Sequence, residues 1–197
     1  MKTIVLSGIM VVTIGFISCS NNENSTESTS ANKETTSQAA STNNTIEQAK
    51  SGTINDVVSG YLSLKNALTN DNANEAASAA KGINESLAKV NESALDADQK
   101  KVYDDVKDDI KEHAQHIADN SSKIDHQREH FDLLSRDMID LVKAIGSSQT
   151  LYRDFCPMYN NKKGAYWLSE TKEIKNPYYG KEMLKCGEVK EEIKANG

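Results

Sequence analysis

Apolar residues recur every three or four positions over most of residues 54 to 146, which is the spacing of one face of an α-helix. The clearest stripe passes through Tyr103, Val106 and Ile110, and later through Phe131 and Met138. Short polar breaks separate the runs, and short connections favour antiparallel neighbours. The sequence therefore predicts a mainly α fold, a four-helix up-down bundle. Its helices are expected at about residues 54–70, 73–90, 97–119 and 122–146.

The break between the third and fourth predicted helices rests on the polar run Asp119–Ser122. Ser122, with Asp125 three positions later, fits a capping box, in which two side chains satisfy the free N–H groups of a helix start. This favours two helices. The alternative is one bent helix of about fifty residues, because the stripe keeps its phase and no glycine or proline intervenes.

Residues 147–197 lose the helical periodicity, and both prolines and the single tryptophan of the chain lie there. Turn signals such as Asn176-Pro177 punctuate this stretch. The sequence predicts a small irregular or short-strand C-terminal cap on the bundle. Within it we expect two short strands, at Ala165–Leu168 and around Ile174, with Trp167 anchoring the cap on the bundle. A short last helix is expected at Glu188–Lys194.

The N-terminus, residues 1–18, has the organisation of a secretory signal peptide, with a positive start and then an apolar run of about fourteen residues. The junction Ser18-Cys19 resembles the lipobox of bacterial lipoproteins, which implies cleavage before Cys19 and lipidation of that cysteine. The alternative is ordinary secretion with a free Cys19. Residues 19–50 are rich in Ser, Thr and Asn and predict a lipidated, disordered tether. The helical domain with its cap is expected over residues 51–197.

The formal net charge of −6 bears on the partners of the chain. No basic run is longer than the pair Lys162-Lys163, so nucleic-acid binding is disfavoured. The sequence has no glycine-rich phosphate loop, no Gly-x-Ser-x-Gly and no His-Glu-x-x-His motif. We therefore expect no enzymatic activity.

Two cysteines and two methionines lie within the cap, as Cys156-x-Met158 and Met183-x-x-Cys186. Thiolate and thioether ligands suit Cu(I), so these four residues are candidate metal ligands. The alternative is a disulfide between Cys156 and Cys186, which an oxidising compartment after export permits. Closing a loop of about thirty residues would stabilise the small cap by roughly 3 to 4 kcal/mol.

All four histidines of the chain lie within eighteen positions, and they form weaker metal-ligand candidates. Two are spaced i, i+3 and two i, i+4, so each pair faces one side of a helix. Imidazole binds Zn, Cu and Ni. If the third and fourth helices form a hairpin, the histidines cluster near its turn, and the cysteines follow the opposite end of the fourth helix. The candidates are His113, His116, His126 and His130.

Short motifs in a fixed order carry a family resemblance. The chain resembles domain-of-unknown-function family 3347 over about residues 54 to 192. That family occurs in Bacteroidetes lipoproteins and at the end of some periplasmic adaptor subunits of heavy-metal efflux pumps. The motifs are Tyr61-Leu62-x-Leu64-Lys65, Gln127-Arg128-x-x-Phe131, Cys156-Pro157-Met158, Trp167-Leu168-Ser169, Asn176-Pro177-Tyr178-Tyr179-Gly180 and Met183-Leu184-x-Cys186-Gly187.

The resemblance implies a periplasmic setting and an association with copper or other heavy-metal handling. Cys156-Pro157-Met158 is also similar to the opening of small heavy-metal-binding domains, although Tyr159 stands where those domains usually continue with histidine. The resulting hypothesis is a lipid-anchored protein of the bacterial cell envelope that binds a soft metal ion, foremost Cu(I), for sequestration or transfer to efflux. Its partners would be the membrane, through the anchor, and a heavy-metal efflux system or another envelope protein. The alternative is a metal-free, disulfide-stapled helical interaction module.

Overall fold

The structure, a computed structural model, describes residues 41–196, with side chains from Ile54 onward. The predicted signal peptide, Cys19 and the first part of the predicted tether lie outside the described residues. In the described part, four long helices follow one another as α1 to α4, and each packs against the next. None of these helices combines the length and the apolar character needed to cross a membrane. Their bounds are α1 Ser41–Thr69, α2 Ala73–Leu87, α3 Ala97–Asp119 and α4 Ile124–Ile145.

The four-helix arrangement confirms the predicted fold class, and α3 and α4 are separate helices rather than one bent helix. Helix α1 extends back to Ser41, so its first turns fall within the stretch assigned to the tether. That stretch has no proline and no glycine before Gly52, which leaves the backbone free to continue the helix.

The ends of α3 and α4 show which of the capping signals in the sequence are used. Asp96 caps α3 with a full capping box, in which its side chain accepts from the N–H of Gln99 at 2.9 Å and the Gln99 side chain accepts from the N–H of Asp96. The box predicted at Ser122 is wrong, because Lys123 occupies the N-cap of α4 without a side-chain cap bond. Gly146 ends α4 with a positive φ of 93°, a conformation that favours glycine.

Replacing Asp96 with alanine is expected to lower the free energy of unfolding by about 1 kcal/mol, because the first turn of α3 then loses its side-chain acceptor. Urea unfolding followed by circular dichroism measures this change. Asp98→Ala removes a carboxylate from the same turn without removing the cap bond, so its effect should be smaller. Equal effects of the two variants would contradict the capping role.

The cap contains a three-stranded antiparallel sheet of order β2-β1-β3, with β1 Leu151–Cys156, β2 Ala165–Ser169 and β3 Glu188–Ile193. The prediction of a strand near residue 165 is confirmed, whereas Ile174 lies outside any strand. The short last helix predicted at 188–194 is wrong. Its charged residues have helical propensity, but pairing with β1 supplies backbone hydrogen bonds that a single helical turn does not provide.

Strand β2 packs the sheet against the bundle, with Trp167 and Leu168 fully buried. Tyr61 of α1 joins both layers. Its hydroxyl shares a 2.7 Å hydrogen bond with Ser135 of α4 and accepts from the backbone N–H of Leu168 at 3.1 Å. Its ring stacks on Phe131, with centroids 5.2 Å apart. The sheet therefore sits against both α1 and α4, and Trp167 anchors the cap as predicted.

Candidate functional site: a histidine cluster and a cysteine pair

The α3–α4 hairpin brings the four histidines together beside its turn. His113 and His116 come from the last turns of α3, and His126 and His130 come from the first turns of α4. The two helices are antiparallel neighbours joined by residues 120–123, so positions at similar distances from the turn face one another. The clustering expected from a hairpin is therefore confirmed.

The imidazole rings of this histidine cluster are in mutual contact. His116 and His130 stack with centroids 4.3 Å apart and planes at 2°, and His126 meets His130 edge-on at 4.7 Å. The Nδ1 atoms of His113 and His130 are 3.3 Å apart. The ligand atoms of His116, His126 and His130 all lie within 4.8 Å of one another. Nitrogens that share a tetrahedral ion at about 2.1 Å are about 3.4 Å apart, so small rotations of the side chains would complete such a set.

Burial and neighbouring charges keep the two inner imidazoles, those of His113 and His130, in the neutral form that binds metals. Burial lowers the pKa of His113, and burial together with the neighbouring histidines lowers the pKa of His130. Both are therefore neutral at pH 7, with a lone pair available. At the outer rim, Glu129 lies 3.2 Å from Nδ1 of His126, and Glu112 lies 3.8 Å from Nε2 of His116. Carboxylates beside imidazoles orient the rings.

The predicted cysteine pair is also brought together. The Sγ atoms of Cys156, at the end of β1, and Cys186, just before β3, are 3.2 Å apart, and both cysteines are free thiols here. Burial and the contact with Cys156 raise the pKa of the Cys186 thiol to about 11. Thiolates that share a tetrahedral ion at about 2.3 Å are about 3.8 Å apart, so these sulfurs sit closer than an ion between them requires.

The methionines of the soft-ligand set lie at a different depth from the thiols. Cys156 is fully buried in the core, whereas Met158 is 42 % exposed. Met183 is half-buried in the loop before Cys186, and its carbonyl accepts from the Cys186 N–H at 2.9 Å. The four predicted soft ligands thus come from two segments that meet at the cysteines, but their side chains span the inside and the outside of the cap.

The chain doubles back after α4, so the cap reaches the same end of the bundle as the histidines. Tyr159, three residues after Cys156, lines a cleft together with residues of the first α4 turns. Arg128 of α4 faces this side and donates to the carbonyls of Pro177 and Leu68 at 3.0 and 3.2 Å. At 100° per residue, Arg128 points about 200° away from His126. The histidine cluster and the cap therefore occupy opposite faces of α4.

Sequence reasoning missed a buried polar set beneath the sheet. Asp154 of β1 has no solvent exposure, and neither of its carboxylate oxygens has a hydrogen-bond partner among the described residues. Nearby, the buried Lys65 donates to Glu170 at 2.7 Å. Asp154 sits in a strand between Arg153 and Phe155 with no surrounding motif, so no local signal marked it.

These features define the class of the protein: a helical-bundle domain with a small appended sheet, a histidine cluster on one hairpin and a cysteine pair in the sheet. Residues 57–150 match the family described as "Protein of unknown function (DUF3347)". The helical part of the chain is thus similar to that family, which confirms the resemblance over the bundle. The matched residues include the four histidines and end before β1. No curated protein and no solved structure gives a significant match.

Proposed function

We propose that this protein binds a divalent copper or zinc ion on the histidine cluster and holds it for sequestration or transfer, without turnover. The observation that supports this most is the convergence of His116, His126 and His130, whose ligand atoms lie within 4.8 Å of one another. Neutral imidazoles are ligands for Zn, Cu and Ni, and tetrahedral three-histidine sites leave a position open for exchange. All three histidines are exposed or half-buried, which gives an ion access.

The cellular setting belongs to the same proposal. A signal peptide at residues 1–18 and lipidation of Cys19 would anchor the protein at the cell envelope. The family resemblance implies heavy-metal handling, so an efflux system or another envelope protein is the proposed recipient of the ion. A bundle tethered in this way would present its hairpin to the periplasm or to the cell surface.

The sequence led to the hypothesis of a Cu(I) site at Cys156 and Cys186. The geometry of these two thiols suits a disulfide better than it suits a Cu(I) site. Cys156 is fully buried, and the raised pKa of Cys186 disfavours the thiolate that binds metals. Met158 would have to turn inward to join them. For these reasons the imidazole set is the preferred site, and the thiol set is tested beside it.

Isothermal titration of Cu²⁺ and Zn²⁺ into the reduced protein at pH 7.5 tests the proposal. The double variant His116→Ala/His126→Ala is expected to bind about a hundredfold more weakly or worse. Only His113 and His130 of the histidine cluster then remain, and two imidazoles hold these ions poorly. Both side chains are well exposed, at 47 and 38 %, so the fold should be kept.

Cys156→Ala/Cys186→Ala is the matched control, since it also removes two candidate ligands. We expect it to retain the affinity for divalent ions. If this variant loses binding and the histidine variant keeps it, the site lies at the thiols and the histidine proposal is wrong. If neither variant changes the affinity, both sites are excluded.

A second function is favoured by the 3.2 Å approach of the two sulfurs, which is close enough for a disulfide after a small side-chain movement. In that case the protein would be a stapled helical module that binds another envelope protein. Association with a purified candidate partner that is unaffected by EDTA but weakened by reductant would support this function instead.

A further inference from the structure

A cleft of about 460 Å³ opens between the first turns of α4 and the cap, on the face of α4 opposite the histidine cluster. This volume falls in the range of small-ligand sites. The cleft meets the proposed metal site only at its edge, through Glu129, whose carboxylate lies 3.2 Å from Nδ1 of His126, and sequence reasoning did not indicate the cleft. Its lining residues are Asp71, Asp125, Arg128, Glu129, Tyr159, Tyr178, Tyr179 and Glu182.

Three tyrosines form an aromatic corner in this cleft. Tyr159 stacks on the buried Tyr178 with centroids 4.3 Å apart, and Tyr179 stands at 82° to Tyr159 at 5.9 Å. Tyr178 is fixed in place because its hydroxyl donates to the carbonyl of Tyr166. Two aromatic rings at nearly a right angle present π-faces and edges to one point, the arrangement that receives alkylammonium groups.

The charge of the cleft is strongly negative. Four carboxylates face one guanidinium, and Arg128 is already engaged by Asp71 at 2.6 Å and by two backbone carbonyls. Glu182 is exposed, and its carboxylate makes no hydrogen bond or ion pair among the described residues. Asp125 is 95 % exposed and lies 3.5 Å from Arg128. Glu182 is therefore a free acceptor at the rim, whereas Glu129 lies beside His126 and the one cationic side chain of the lining, Arg128, is already paired.

Aromatic faces combined with a free carboxylate select one ligand chemistry. An anion would be repelled, and a bare metal ion would leave the tyrosine corner unused. We propose that this cleft binds a primary alkylammonium group, with the alkyl chain against Tyr159 and Tyr179 and the ammonium hydrogen-bonded to Glu182. Such a group is carried by a free diamine and by a lysine side chain of a protein partner.

The test uses the full chain in buffer containing EDTA, so that the result is independent of the metal site. Calorimetric titrations with 1,5-diaminopentane and with N-acetyl-lysine N-methylamide are each expected to saturate, whereas 1-pentanol should not bind. The tighter of the two ammonium probes identifies the source: the diamine indicates a small molecule, and the capped lysine indicates a protein side chain. Failure of both ammonium probes to saturate overturns the proposal.

Two matched pairs of variants place the binding in the cleft. Glu182→Gln is expected to weaken binding about fivefold, since it removes a charge–charge contact at an exposed site. Glu173→Gln makes the same charge change on an exposed residue that is not part of the cleft lining, and it should have no effect. Equal effects of these two variants would show only general electrostatic attraction and would overturn the site.

The second pair isolates the aromatic ring. Tyr179→Phe and Tyr179→Leu both lose the hydrogen bond from the hydroxyl to the Met158 carbonyl, so they differ in the ring alone. Tyr179→Phe is expected to bind like the wild type within about twofold, and Tyr179→Leu several-fold more weakly. Equal affinity of the two variants excludes the aromatic corner and with it the proposal.

Discussion

Reducing an oxidised Cys156–Cys186 pair is expected to lower the free energy of unfolding by about 3 to 4 kcal/mol. The two sulfurs are 3.2 Å apart across a sequence separation of 30 residues, and a cross-link of that span removes a large share of the freedom of the unfolded cap. The bond would join the end of β1, the central strand, to the start of β3, an edge strand. The loop it closes contains β2 and Trp167, so opening it loosens the part of the cap that packs on the bundle.

Guanidinium unfolding of the oxidised protein, with and without a phosphine reductant, measures this difference. Intrinsic fluorescence is a suitable probe because the single tryptophan, Trp167, is buried within the stapled loop. Oxidation should be carried out with a glutathione disulfide buffer near pH 8.5, since the raised pKa of Cys186 makes the reactive thiolate scarce at neutral pH.

Cys156→Ala/Cys186→Ala provides the control for the reductant, and its unfolding midpoint should not move. Mass spectrometry before and after alkylation confirms which thiols have reacted. If the wild-type midpoint is the same in both conditions while the bond is shown to form, the staple stabilises nothing and the cap depends on packing alone.

The stability of the protein is expected to fall as pH rises from about 4 to 7, by on the order of 4 kcal/mol from one carboxyl group. Burial raises the pKa of Asp154 from 3.8 to about 7, with Glu170 adding to the rise and Lys65 opposing it. Between those two pH values the folded state holds a proton that the unfolded state has released. The stabilisation is therefore full below about pH 4 and is lost once pH exceeds 7.

Urea unfolding from pH 4.5 to 8 checks this slope, and Asp154→Asn should flatten it. The comparison of slopes is preferable to that of absolute stabilities, because the amide also lacks a buried partner. Asp137 gives a slope of the same sign. Because its pKa is about 6, most of its contribution is lost below that pH, so Asp137→Asn should reduce the fall between pH 6 and 8 much less than Asp154→Asn does.

The histidine cluster acts in the opposite direction. The lowered pKa values of His113 and His130 mean that the unfolded state takes up protons first on acidification, so the contribution of these two residues to stability rises with pH. The difference between wild type and Asp154→Asn removes this common background. An Asp154→Asn variant with the wild-type slope between pH 6 and 8 would show that Asp154 is ionised at neutral pH in the folded protein.

Local patterns were enough to predict the bundle. Helical spacing of apolar residues is a property of neighbouring positions, so the existence of α1 to α4 and their antiparallel order followed from it. The histidine cluster followed in the same way, because i, i+3 and i, i+4 pairs on either side of a turn must face one another. The proximity of Cys156 and Cys186 was expected under both the metal-site and the disulfide hypotheses, and the 3.2 Å approach of their sulfurs agrees with it.

Only the tertiary structure decided how the cap is built and what it encloses. Strand β3 is rich in charged residues and favours a helix locally, yet it pairs with β1 because backbone partners more than thirty residues away are available there. The burial of Asp154 depends on which face of β1 meets the bundle, and the cleft depends on where Tyr159 and Tyr179 return beside α4. The sequence alone thus determined the helices and the ligand types. Contacts between distant segments decided which of those ligands meet. Such contacts could not be predicted, because pairing between distant segments produces no periodic pattern in the sequence.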